Sequence, residues 1–194
     1  MAFTAETGAG LAAANSYVAV ADADTYHSDR GNSGWTGEDA VKQAALIKAT
    51  EYVDGQYRFR GTKATAEQAL EWPRTGAADQ SGHALTGVPA KVANAVNELA
   101  LLALTTNLQP ALDRGGMVAS ESVGSLRRSY FAGAPGYKVF SVADRLLGQL
   151  ITEVYDTANP AGSRPPTPFY SPNSNSTASD AAGNFYVGMM DNDG

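Results

Sequence analysis

The segment "VPAKVANAVNELALLAL", residues 88–104, constrains the fold more than any other part of the chain. Val92, Val96, Leu99, Ala100 and Ala103 form one stripe at helical spacing, and Leu101, Leu102 and Leu104 widen it until most of the helix is apolar. A helix of that girth needs neighbours on several sides. Pro89 suits its first turn, where the amide that proline lacks has no helical acceptor. The expected architecture is therefore mainly α, a helical bundle core with this segment at its centre.

Three other segments supply the helices to pack around it. A short one spans Ala21–Asp29, able to start at Asp22 and stopped by Gly31. A longer one runs from Thr36, the expected N-cap with Asp39 three residues on, to Asp54, with Gly55 ending it. Its expected inner face is Val41, Ala44, Ile47 and Glu51 or Tyr52. The last covers Ser141–Tyr155, with Ser141 as cap and Val142, Leu146, Leu147, Leu150, Ile151 and Val154 on a continuous face. "EQALEWPRTG" is read as one further helical turn before Pro73, because the residue ahead of a proline is driven out of helical geometry. Met117, Val118, Val123, Leu126, Tyr130 and Phe131 sit in "GGMVASESVGSLRRSYF" around Gly124, which predicts a β-hairpin or extended arm near 117–131.

Beyond Asp156 the composition turns to Pro, Ser and Asn, too poor in apolar surface to fold alone. The chain thus divides into a helical domain, 1–156, and a long extended C-terminal tail, 157–194, expected to order only on a partner. Phe169, Tyr170, Phe185, Tyr186, Val187 and Met189 are its anchoring side chains, with strand addition at Asn184–Met189 as one docking mode.

The chemistry available is narrow. The chain has no cysteine, which removes disulfides, thiolate metal sites and thiol nucleophiles together. His27 and His83 are the two histidines; neither has metal-ligand spacing, and both are read as surface or loop residues. There is no nucleophile elbow, phosphate loop or dinucleotide fingerprint. Paired acids such as Asp22 with Asp24 and Glu38 with Asp39 are explained by helix starts, and the terminal "DNDG", which lacks the downstream glutamate of a calcium loop, is read as a soluble end. No enzyme, cofactor or metal is expected. No apolar run is long enough to cross a bilayer and the first residues do not form a signal sequence, so a soluble, unprocessed protein without membrane association is expected.

One stretch points toward nucleic acid. In "YRFRGTK", Tyr57 and Phe59 alternate with Arg58 and Arg60, with Lys63 next and Arg74 beyond. Aromatics interleaved with cations can stack on bases while the cations hold phosphates. The same alternation fits an extended strand that buries its aromatics and solvates its arginines, and a net charge of −6 favours this second reading.

In order along the chain, "GLAAANSYVAVADADTYHSDRGNSGW", "AALIKATEYVDGQYRFRGTKATAEQALEWPRTG", "VPAKVANAVNELALLAL" and "RGGMVASESVGSLRRSYF" resemble a family of small tailed-bacteriophage proteins. Some members are labelled DnaT-like single-stranded-DNA-binding proteins, and the family is similar to head-to-tail connector, or adaptor, proteins. The resemblance covers Gly10 to Leu150; its most specific pieces are Ala14–Tyr17, Trp72–Arg74 and Glu121–Gly124.

The adaptor resemblance implies a structural virion protein, made in the host cytoplasm and placed at the head-tail junction. Copies would form a ring, twelvefold by the resemblance, beneath a portal protein. Tail or nozzle proteins would attach below, and genomic DNA would pass through the channel without specific binding. The hairpin would contact the neighbouring copy, and the tail anchors would dock in the portal. The alternative is a single-stranded-DNA-binding or replication-accessory protein acting through Tyr57, Arg58, Phe59, Arg60 and Arg74.

Overall fold

A computed structural model describes residues 2–109, 120–124, 126–129 and 140–154. Its elements run α1 (Val20–Asp29), α2 (Asp39–Gln56), β1 (Tyr57–Phe59), β2 (Thr62–Lys63), β3 (Arg74–Thr75), α3 (Ala90–Ala103), β4 (Ser120–Val123), β5 (Leu126–Ser129), α4 (Ser141–Leu147) and β6 (Ile151–Val154). The strands form three antiparallel pairs, β1 with β6, β2 with β3 and β4 with β5. Among the described residues the architecture is therefore mixed, four helices braced by small sheets, rather than the clean helical bundle expected.

The wide apolar helix is central, as its composition requires. α3 packs against both α2 and α4 and buries Val92, Ala95, Val96, Leu99 and Ala100. Pro89 is its N-cap, extended at ψ 142°, so the helix proper begins one residue later than expected. Leu102, 37% exposed, is the part of the broad stripe left uncovered. α2 turns inward a face that shares Tyr52 with the expected one but is otherwise different. Ala45, Leu46, Ala49, Tyr52 and Val53 are buried, whereas Val41 is 51% exposed and Ala44 and Glu51 face solvent. The two stripes compete on one helix, and the stripe carrying Leu46, Tyr52 and Val53 together offers the larger apolar area. α2 also starts later than Thr36, with Glu38 as its N-cap, and runs through Gly55 to Gln56.

Two expected helical segments are not helical. The fourth helix stops at Leu147, capped by Gly148, and the chain continues as β6. The β-branched pair Ile151 and Thr152 suits a strand, and β1 supplies the partner, so pairing overrides a periodicity that a helix could also satisfy. "EQALEWPRTG" forms bends instead of a helical turn: the Gln68 side-chain amide donates to the carbonyls of Leu70 and Pro73, drawing the chain into a compact loop.

The hairpin is present as β4 and β5, narrower than the expected arm. Val123 stands opposite Leu126, and Gly124 opens the turn at φ 62°. Met117, Val118, Tyr130 and Phe131 lie outside the described residues, as do the tail, 157–194, and all six of its proposed anchors.

The glycine-rich N-terminal lead is anchored. The Glu6 carboxylate accepts backbone N–H groups from Gly8 and Gly10 on Oε1 and from Leu11 on Oε2, at 2.8–2.9 Å. His27 is buried rather than on the surface. Its ring packs 4.6 Å from that of Trp35, and burial holds its pKa below the usual imidazole value. His83 is exposed, as expected.

Candidate nucleic-acid interface

The stretch 57–63 leaves α2 directly as β1, because the helix ends against a run of aromatic and β-compatible residues. Alternation then separates the side chains. Tyr57 and Phe59 point into the core at 1% and 6% exposure, while Arg58 and Arg60 face solvent. Tyr57 donates its hydroxyl hydrogen to Asp144 Oδ1 at 2.8 Å, tying β1 to α4. Phe59 meets Trp72 edge to face at 5.7 Å, and Trp72 is wholly buried. None of these aromatic rings can stack on a base without unfolding the domain.

The cations do not share one fate. Arg60 is fixed at its backbone, its N–H donating to the Leu150 carbonyl, and its Nε reaches the Ile151 carbonyl at 3.3 Å. Pairing with β6 shifts register between Arg58 and Phe59, and Thr152 donates its hydroxyl to the Arg58 carbonyl there. Lys63, on β2, pairs with Glu71 at 3.2 Å and remains about a third exposed.

Arg74 is different: its side chain is 9% exposed and is committed to the chain itself. Nε donates to the Arg60 carbonyl, Nη2 to the Gly61 carbonyl, and Nη1 to both the carbonyl and Oε2 of Glu71. It closes the turn between β1 and β2 and is not available to a phosphate. Gly61 makes that closure possible. It holds φ at +77°, and a Cβ there would lie 2.3 Å from the Thr75 carbonyl oxygen.

Beneath this edge lies a polar group that sequence reasoning missed. Asp54, in the last turn of α2, accepts the Tyr17 hydroxyl at 2.6 Å and the Glu71 N–H at 3.1 Å. The Tyr17 oxygen in turn accepts the Trp72 N–H at 3.0 Å. Burial pushes the Asp54 carboxyl up to about 6 and drives the Tyr17 phenol well above its ordinary value. The sequence carries no signal for this network, since its members are 37 and 55 residues apart.

The structure divides the five residues of the expected nucleic-acid surface. Arg58 and Arg60 stand outward with Lys63 on the next strand, Tyr57 and Phe59 belong to the core, and Arg74 is a clamp. What remains is a small cationic edge on a rigid base. Among the described residues, no group of acids and histidines is arranged to hold a metal, and no helix is long and apolar enough to cross a membrane.

The model of the DnaT-like ssDNA-binding protein family matches residues 1–163. No curated protein and no solved structure matches the chain. The family match overturns the head-to-tail adaptor expectation. With it fall the virion neck role, the ring of neighbouring copies, the portal and the tail or nozzle proteins as partners, and DNA as a passing cargo that is not bound. The physical reason lies in where the shared motifs sit. Ser16, Tyr17 and Trp72 are buried and Arg74 holds a turn. These residues specify a fold, and a fold does not specify what is built on its surface.

Proposed function

We propose, since the chain belongs to the DnaT-like ssDNA-binding protein family, that it binds single-stranded DNA along its β1–β2 edge, with Arg58, Arg60 and Lys63 facing the phosphates. The observation that carries this reading is the separation of exposed cations from buried aromatics along one extended segment. It supplies positive charge on a backbone pinned by β6 and by Arg74, so little conformational freedom is lost on binding. Tyr57, Phe59 and Trp72 act as the scaffold that spaces the cations. The role is that of a binding protein, with no catalytic step assigned to it.

An edge of three cations on a chain of net charge −6 gives modest, salt-sensitive affinity. Three phosphate contacts predict that log K falls by about 2 per decade of salt, or about 20-fold between about 50 and 200 mM. Fluorescence anisotropy with a labelled oligo(dT) measures this. Replacing Arg58 and Arg60 with alanine lowers the slope by about 1.4 while the fold persists. No binding at the lowest salt, or a slope unchanged in the double variant, refutes the proposal.

A further inference from the structure

The buried Asp54 carboxyl is joined to the cationic edge through Glu71. Its Oδ2 accepts the Glu71 N–H at 3.1 Å, while the Glu71 side chain meets Lys63 through Oε1 at 3.2 Å and Arg74 through Oε2 at 2.7 Å. One residue thus touches both a buried acid and a DNA-facing cation. The path is held at both ends. Arg74 fixes Glu71 to the turn at Arg60 and Gly61, and the Tyr17 hydroxyl fixes Asp54 to the Trp72 backbone. Charge arriving at the edge therefore acts on Asp54 over short, fixed distances.

Four ionisable groups surround Asp54 on the elements packed against it: Tyr17 ahead of α1, Lys63 on β2, Glu71 between β2 and β3 and, through Glu71, Arg74 on β3. The Tyr17 phenol is driven well above its ordinary value, so it keeps its proton and remains a donor. Burial pushes the Asp54 carboxyl up to about 6, which makes it the group beneath the edge placed to exchange a proton near neutral pH. The charge of Glu71 raises it further, and that of Lys63 lowers it. A phosphate brought to Lys63 adds negative charge and offers the ammonium an anion other than Glu71. Both changes disfavour the ionised carboxylate.

We propose that binding of a DNA phosphate at Lys63 is coupled to uptake of a proton by Asp54, so that the edge holds single-stranded DNA more tightly in mildly acidic than in mildly alkaline solution. The inference rests on the single-stranded-DNA reading above and gives that site a regulator outside the DNA contact. Linkage makes the effect reciprocal: the protonated form binds DNA more tightly by the factor by which DNA raises the proton affinity. For one charge arriving beyond hydrogen-bond distance in a partly solvated site, that factor is about two- to fivefold. The histidines make their contacts elsewhere, His27 against Trp35 and His83 with Asp79.

The test is fluorescence anisotropy of the full chain with labelled oligo(dT), whose bases do not titrate between about pH 5 and 8, at constant ionic strength. Kd is expected to fall about two- to fivefold as pH is lowered across that range, with the change centred just above the Asp54 value of about 6. Asp54→Asn is expected to bind with a Kd that no longer depends on pH there. Should Asp54→Asn fail to fold, NMR of the Asp54 carboxyl carbon in the parent replaces it: saturating oligo(dT) is expected to move its titration to higher pH. A titration that oligo(dT) leaves in place overturns the proposal, as does a pH dependence of Kd undiminished in Asp54→Asn. Salt-dependent binding with a Kd flat across the range overturns the coupling and leaves the function standing. No binding at the lowest salt overturns the function, and the coupling with it.

Discussion

Replacing Arg74 separates a clamp from a phosphate contact. Four hydrogen bonds depend on its guanidinium: two to the exposed Arg60 and Gly61 carbonyls, and two to Glu71 at 2.7 and 3.1 Å. The exposed carbonyls regain water when the side chain is removed, so they contribute little. The Glu71 bonds, one of them between charged groups, account for most of the loss. Arg74→Ala is expected to cost about 2–3 kcal/mol on the usual scale for such bonds, equivalent to a fall in Tm of about 5–10 °C for a chain of this size. Arg74→Lys is the sharper variant. A single ammonium cannot reach the Gly61 and Glu71 acceptors together, because it lacks the planar fork, so about 1–2 kcal/mol is lost although the charge is kept. Urea unfolding gives these differences directly, and anisotropy gives the salt slope of DNA binding for the same proteins. A lysine variant within about 0.5 kcal/mol of the parent, or an alanine variant with unchanged stability and a slope reduced by about 0.7, would show that Arg74 contacts phosphate and that the clamp reasoning is wrong.

Tryptophan emission gives an independent reading, since Trp35 and Trp72 are both buried, and saturating oligonucleotide is expected to leave it nearly unquenched. Strong quenching on binding would mean that a ring stacks on the bases after all. Gly61→Ala is expected to destabilise by more than the ordinary glycine-to-alanine change, by about 2 kcal/mol or more, because a left-handed conformation and a backbone collision coincide there. A chemical melt within about 0.5 kcal/mol of the parent would contradict that geometry. Asp54 sets a pH dependence whose sign follows from its folded pKa lying above the unfolded one. The folded state holds the proton more tightly, so this contribution is fully present below about pH 4 and is lost as pH rises through about 6. The span is worth about 3 kcal/mol. His27, lowered by burial, acts with the opposite sign, favouring the fold above its ordinary value and less so as pH falls. The difference between the parent and Asp54→Asn isolates the aspartate: its pH slope between about 4 and 6 should be negative, and a difference that stays flat there disproves the assignment.

The central helix was legible because its apolar residues leave almost no polar face, so any fold must surround it. The hairpin was legible at Gly124, where a positive φ suits glycine between two extended runs. α2 was located, but its inward face was not, since Val41 and Leu46 both lie on plausible stripes and only the packed neighbours choose between them. Residues 148–154 were misread for a similar reason. Leu147, Leu150, Ile151 and Val154 satisfy helical spacing, and the competing strand depends on a partner 91 or more residues away. For the candidate site, alternation in "YRFR" already contained the split between core and surface. Nothing nearby announced that Arg74 would turn back onto the Arg60 and Gly61 carbonyls, or that Asp54 and Tyr17 would meet.

The pairing of β1 with β6 also imposes an order on synthesis. Arg60 leaves the ribosome 91 residues ahead of the Ile151 carbonyl that fixes it. At about 5–20 residues per second, the interval is about 5–20 s. Throughout that time the nascent chain carries Tyr57 and Phe59 on a strand with no hydrogen-bonding neighbour. Completion of β1 therefore waits for β6, and a nascent chain stalled within the interval offers an adhesive β-edge.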